Sequence, residues 1–219
     1  MLALRRVHDL GLPVPGRGSV DAVIITGFDL DMTLIDSRPG IKAVYEQIVV
    51  ESGAPIDTDV VVSRLGPPVE WELAQWMPEA DVDHWADRYR ELYPSIALEL
   101  VETLPGALGA VEAARSRGRT IVVTAKHGPN AVLHLERLGL VVDEVFGRAW
   151  REGKGEVLRA EGAGLYVGDH VHDMEAARSA EAHGVGVTTG PCDSGELRAA
   201  GAATVLTTLE DFPVLLSAM

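Results

Sequence analysis

Three short apolar runs, each stopping at a polar residue, constrain this chain most. Residues 23–28 run into Asp29, residues 120–123 into Thr124, and residues 165–167 into Gly168 and Asp169. Runs of this length and composition read as buried strands. Residues 185–187 and 204–206 extend the series, and residues 145–146 add a shorter one. Helical patterns lie between them at 107–117, 129–138, 155–160, 173–183 and 196–200. Strands alternating with helices predict an α/β fold, a Rossmann-like parallel sheet with helices on both faces. Such sheets bind ligands beyond the carboxyl ends of their strands. Asp29, Asp31, Thr124 and Asp169 are therefore expected at one site, although they are far apart in sequence.

Residues 37–104 break the alternation. Pro39 falls in the first turn of a helix whose apolar stripe is Ile41, Val44, Tyr45, Ile48 and Val49, and Ser52-Gly53 ends it. Further helical patterns span 58–65, 69–76 and 82–98. A segment this long is not an unstructured connection. It predicts an all-helical cap domain, 37–104, inserted between two pieces of the core, 21–36 and 105–219. Residues 1–20 carry Gly11, Pro13, Pro15, Gly16 and Gly18 and read as a flexible leader.

The chain has 33 acidic and 19 basic residues, a formal charge of -14. Such a surface repels nucleic acid and anionic membranes, and neither is expected as a partner. No apolar run approaches the length of a membrane span. Cys192 is the only cysteine, so no intramolecular disulfide forms, which fits a reducing cytoplasm. Oligomeric state is not legible in the sequence. Any anionic substrate needs local positive charge, from a metal or a lysine, against this background.

Asp29 and Asp31 lie two residues apart just after an apolar strand. A carboxylate can attack phosphorus and divide one hard step into two. A second acid can protonate the leaving oxygen and later deprotonate water. Taken alone, the same spacing also occurs in turns and helix caps. Asp169 and Asp173 follow another strand, with a glycine before them. Hard cations such as magnesium prefer oxygen ligands, so Asp169 suits direct ligation and Asp173 ligation or orientation, while an acid at a helix start needs no metal to explain it. His170 and His172 lack a third nitrogen or sulfur ligand at matching spacing, which argues against zinc. The Thr124 hydroxyl and the following N–H, of Ala125, could hold a phosphoryl oxygen, or Thr124 could simply cap a loop. Only three lysines occur: Lys42, Lys126 and Lys154. Lys154, with glycine on both sides, can approach a phosphate as a compact charge, and Lys126 stands between that role and a solvated surface. No Walker-type loop, nucleophile elbow or dinucleotide fingerprint is present.

Together these residues resemble the haloacid dehalogenase superfamily, in its phosphoglycolate-phosphatase-like branch. Four motifs carry the resemblance from about Val23 onward: Asp29-Leu30-Asp31-Met32-Thr33, Thr124, Lys154, and Gly168-Asp169 with Asp173. The resemblance implies that Asp29 is the nucleophile and Asp31 the general acid and base. It implies Mg2+ held by Asp29, the Asp31 carbonyl and Asp169, with Asp173 supporting. Thr124, Ala125 and Lys154 then bind the phosphoryl group of a small phosphorylated metabolite. The expected activity is a phosphatase of the phosphoglycolate or sugar-phosphate type. A phosphomutase of the same superfamily, or a non-catalytic phosphate-binding protein on this fold, is the alternative. Met32 stands where the family usually has glycine, which suggests a bulkier pocket wall, and Gly155 replaces the usual proline after the third-motif lysine.

Overall fold

The computed structural model describes residues 24–219, so the leader at 1–20 and Val23 lie outside the described residues. The chain runs through β1 (Thr26–Phe28), β2 (Ile35–Asp36), α1 (Arg38–Ser52), α2 (Thr58–Ser63), α3 (Val69–Leu73) and α4 (Glu79–Ile96). It continues through β3 (Glu102–Thr103), α5 (Ala107–Arg117), β4 (Thr120–Val123), α6 (Gly128–Leu138), β5 (Glu144–Phe146), α7 (Glu152–Glu161) and β6 (Leu165–Gly168). The last elements are α8 (Val171–Ser179), β7 (His183–Val187), α9 (Ser194–Ala200), β8 (Thr204–Leu206) and α10 (Phe212–Ser217).

Six strands pair in parallel in the order β5-β4-β1-β6-β7-β8. The α/β expectation thus matches the observed sheet. β1 lies between β4 and β6, with Phe28 opposite both Val122 and Val167. The strand order changes direction there, which makes the carboxyl end of β1 the topological switch point. Alternate residues feed opposite faces: Phe28, Val122 and Val167 join one apolar cluster, and Ile121, Val123 and Tyr166 join another. Both faces are covered, which is why the strands read as continuous apolar runs.

Helices α1–α4 hold a third cluster of their own, built on Val44, Ile48, Leu73, Ala86 and Tyr93. The antiparallel pair β2–β3, with Ile35 opposite Thr103, joins this helical unit to the sheet. Each strand of the pair is two residues long, too short to leave a periodic signal.

Several boundaries differ from the sequence expectation. Helix α7 starts at Glu152 rather than at residue 155, so Lys154 sits inside its first turn. Glycine is a poor helix former, but Gly155 is packed so closely that an added Cβ would lie 2.1 Å from Ser179 Oγ. Tertiary contact wins over propensity there. The helix expected over 173–183 ends at Ser179, Glu181 turns the chain at φ 58, and His183 opens β7. Patterns at 58–65 and 69–76 shorten to α2 and α3. Helix α10, with Pro213 in its first turn, had no counterpart in the sequence reading.

Candidate active site

Asp29 stands one residue beyond β1, its N–H donating to the Val167 carbonyl at 2.8 Å. Asp169 directly follows β6, and Asp173 lies in the first turn of α8. These positions bring one carboxylate oxygen from each of Asp29, Asp169 and Asp173 within 4.8 Å of the others. All three residues are buried. Lys154 Nζ lies 2.6 Å from Asp173 Oδ1 and 3.0 Å from Asp29 Oδ2.

Other bonds orient this cluster. Thr33 Oγ1 donates to Asp169 Oδ1 at 2.7 Å. The His170 N–H donates to Asp173 Oδ2 at 3.1 Å, and the His170 ring in turn accepts from the His172 N–H, so the two caps close the start of α8. Gly190 gives the room: a Cβ there would fall 1.8 Å from Asp169 Oδ2.

Three buried acids share one buried ammonium. Burial pushes the Asp29 carboxyl up to about 7, Lys154 pulls it back, and Asp173 and Asp31 push it further up. Asp169 is raised well above the carboxylate range by burial, Asp173 and Asp29. Burial works against the charge on Lys154, yet Asp173 and Asp29 outweigh it and hold the ammonium above its ordinary value. Negative charge is therefore in excess, and Asp29 Oδ1 is buried with no hydrogen-bond partner among the described residues. An all-oxygen donor set with an unpartnered carboxylate oxygen fits a hard divalent cation such as Mg2+.

Asp31 is set apart from this cluster. Its side chain pairs with Lys126, Nζ to Oδ1 at 2.8 Å. Burial opposes its ionisation, but Lys126, with Ser37 and His134, outweighs burial and holds the carboxyl below its usual value. Lys126 Nζ also lies 4.7 Å from the centre of the Tyr93 ring on α4, a cation–π contact. With a side chain only 6% exposed, Lys126 is not a solvated surface charge. The Tyr93 hydroxyl lies 3.0 Å from Nε2 of the buried His134 on α6.

Asp29, Asp31, Thr124 and Ala125 line one cavity between the sheet edge and α1–α4, with Lys126 beside them. The Thr124 hydroxyl accepts the Lys126 N–H at 3.2 Å. Tyr45, Tyr89 and Tyr93 supply an aromatic wall from the helical unit. The sequence-expected residues thus fall into two neighbouring groups. One is Asp29, Asp169, Asp173 and Lys154; the other is Asp31, Thr124 and Ala125 around the cavity. His170 and His172 lie beside the acids without joining them: His170 packs against Gly66, and His172 pairs with Glu175. Met32 is not a pocket wall. It is buried at φ 60, a left-handed conformation that glycine takes without strain.

Sequence reasoning passed over Gly190, the bond from Thr33 to Asp169, and the contacts of Lys126 with Tyr93 and of Tyr93 with His134. Thr33 had a usable signal, since it closes the first acidic motif at the strand end. Tyr93 and His134 had none, because their pairing depends on how α4 packs on α6.

Fold and site together are those of an α/β enzyme working at the carboxyl edge of its sheet. The chain belongs to the haloacid dehalogenase-like hydrolases, whose family model matches residues 26–187. A phosphoglycolate phosphatase from Agrobacterium fabrum is 28% identical over 197 residues, covering 76% of this chain and 81% of that protein. A haloacid dehalogenase-like family hydrolase from Streptococcus pneumoniae superposes with a TM-score of 0.75 at 21% identity, covering 90% of this chain and 97% of that one. A structure described as a predicted phosphoglycolate phosphatase from Haemophilus somnus gives 0.74 at 21% identity, covering 92% and 100%. At such identities the structural likenesses speak for the fold.

Proposed function

We propose that this protein is a magnesium-dependent phosphatase of small phosphomonoesters that works through an aspartyl phosphate on Asp29. The observation that carries the reading is the placement of Asp29. One carboxylate oxygen is bound by Lys154 at 3.0 Å, and the other is buried without a partner beside a cavity. The phosphoglycolate phosphatase name of the Agrobacterium relative supports the same class.

Asp29, the Asp31 carbonyl and Asp169 would hold Mg2+, with Asp173 supporting. When bound, the ion neutralises charge on the phosphoryl oxygens and helps orient them. Asp29 attacks phosphorus; the new carboxylate–phosphorus bond forms as the ester oxygen–phosphorus bond breaks. For this step Asp31 must carry a proton against the pull of Lys126, and it passes that proton to the departing oxygen, which leaves as an alcohol. Asp31, now a carboxylate paired with Lys126, takes a proton from water. That water attacks phosphorus, the acyl-phosphate bond breaks, and inorganic phosphate leaves with Asp29 restored. Lys126 favours the ionised Asp31 that this second half needs. Thr124 and the Ala125 N–H hold phosphoryl oxygens, and Lys154 offsets the repulsion between Asp29 and the phosphate.

Helices α1–α4 act as the cap. Their tyrosines face the cavity and exclude bulk water and large substrates. Among the described residues no helix is long and apolar enough to cross a membrane. A cytoplasmic setting belongs to this reading and rests on the lone Cys192. The test is phosphate release from a generic aryl phosphate, with Mg2+ and with excess chelator. Release only with Mg2+ is expected; equal release in chelator rejects the metal-dependent reading.

A further inference from the structure

The cavity that holds Asp29 and Asp31 is lined by a basic group as well. Arg90 on α4, His127 at the start of α6 and Arg148 between β5 and α7 all line it. They come from three separate stretches of a chain that carries a net charge of -14. They share one cavity lining, and burial, then Arg148 and Arg90, hold the His127 ring below its usual value.

Their donors are not all used within the protein. Arg90 pairs through its terminal nitrogens with Glu70 and Asp87, leaving its Nε buried and unpartnered. His127 Nδ1 is likewise buried without a partner. Among the described residues the Arg148 side chain makes no hydrogen bond or ion pair. Its backbone is held at φ 59, while its N–H donates to the Lys126 carbonyl at 2.9 Å. A non-glycine residue in that region is strained, and here the strain brings a free guanidinium to the cavity rim. Arg64, the other arginine on the lining, is engaged by a bidentate pair with Glu72 and has no buried donor left without a partner. Buried donors without acceptors carry a desolvation cost, and one incoming anion would satisfy several of them at once.

We infer that the substrate carries a second anionic group, a carboxylate or a second phosphate, besides the transferred phosphoryl group, and that Arg90, His127 and Arg148 bind it. The inference rests on the phosphatase reading and narrows it. A neutral sugar phosphate offers hydroxyls, which leave the Arg148 charge uncompensated. An anion pairs with a guanidinium fork and accepts from the His127 N–H in the same step. Arg90 belongs to the helical unit and Arg148 to the sheet side, so a bound anion also ties the two together.

The experiment compares three esters of equal chain length: a short alkyl phosphate ending in a carboxylate, the same compound ending in a neutral amide, and the corresponding bisphosphate. An aryl phosphate runs alongside. The parent protein is expected to show kcat/KM at least about tenfold higher on an anionic ester than on the amide. Whether the carboxylate or the bisphosphate leads identifies the anion. In Arg148→Gln and Arg90→Gln the ratio of anionic to amide kcat/KM should fall toward one, mostly through KM, and Arg148→Lys should recover part of it. The ratio is internal to each variant, so general damage to the enzyme cancels. Arg148 is exposed, and its replacement removes no core contact. Hydrolysis of all esters with no preference, or a preference that survives both variants, overturns the second-anion site and leaves the phosphatase standing. No hydrolysis of any ester, the aryl phosphate included, overturns both.

Discussion

Lys126 Nζ lies 2.8 Å from Asp31 Oδ1, joining two residues 95 positions apart into a part-buried ion pair. Lys154 makes a different contact, bridging Asp29 and Asp173 inside the acid cluster. Removing Lys126 frees one acid that lies outside the cluster. Removing Lys154 leaves three buried carboxylates with no paired cation among the described residues. Lys154→Ala should therefore lower kcat/KM by about 10²–10³-fold, in the range of a lost transition-state donor, and Lys126→Ala by less. Comparing both variants on one substrate decides it; a crippled Lys126→Ala beside a near-normal Lys154→Ala reverses the roles.

Asp29→Asn should abolish turnover, to below about a thousandth of the parent, because the amide cannot attack phosphorus. Asp31→Asn should lose about 10²–10⁴-fold while leaving Mg2+ binding intact, since the backbone carbonyl remains. That loss should shrink for a leaving group that departs without a proton. Steady-state kinetics on an alkyl and a nitrophenyl ester, with Mg2+ titration of each variant, checks both claims. An Asp29→Asn rate within tenfold of the parent removes the nucleophile assignment.

Thr33 holds Asp169 through a 2.7 Å hydrogen bond and is fully buried. Thr33→Val keeps the shape and deletes the donor. Partners that orient a metal ligand are worth about 10–100-fold in affinity, so Mg2+ affinity should fall by that factor in calorimetric titration. An unchanged affinity shows that Asp169 needs no such support.

His134 is buried against Tyr93, and burial, reinforced by Lys126 and then opposed by Asp31, brings its ring down to about 4. The folded protein keeps this ring neutral, whereas an unfolded chain protonates it near pH 6.5. As pH falls between those values the unfolded state binds the extra proton, and the stability contribution is lost. Urea unfolding at stepped pH should show the decline, and His134→Gln should flatten it. An identical slope in parent and variant assigns the acid sensitivity elsewhere.

The strand-end acids were legible because parallel strands finish side by side: an acid after each apolar run is enough to place Asp29 next to Asp169. Thr124 followed by the same logic from β4. Lys126 was legible as a candidate, but its pairing with Asp31 was not. Its position two residues past Thr124 was plain, but the direction of a loop side chain depends on Tyr93, contributed by a separate helix. The start of α7 was misplaced because Gly153 and Gly155 weigh against helix locally, while packing on α8 decides in favour. The basic group on the cavity lining could not be read at all, since Arg90, His127 and Arg148 share no spacing.

The β2–β3 pair, with Ile35 beside Thr103, brings the outgoing and returning chain together at a single point. Helices α1–α4 hang from that point as a graft, with their own apolar centre. A short turn joining β2 to β3 could replace them without re-threading any strand of the large sheet. Residues that break a bond and the share of substrate choice that lies in the graft, Arg90 and the tyrosines, can therefore be inherited separately. A lineage could trade one graft for another and keep the same acids at work.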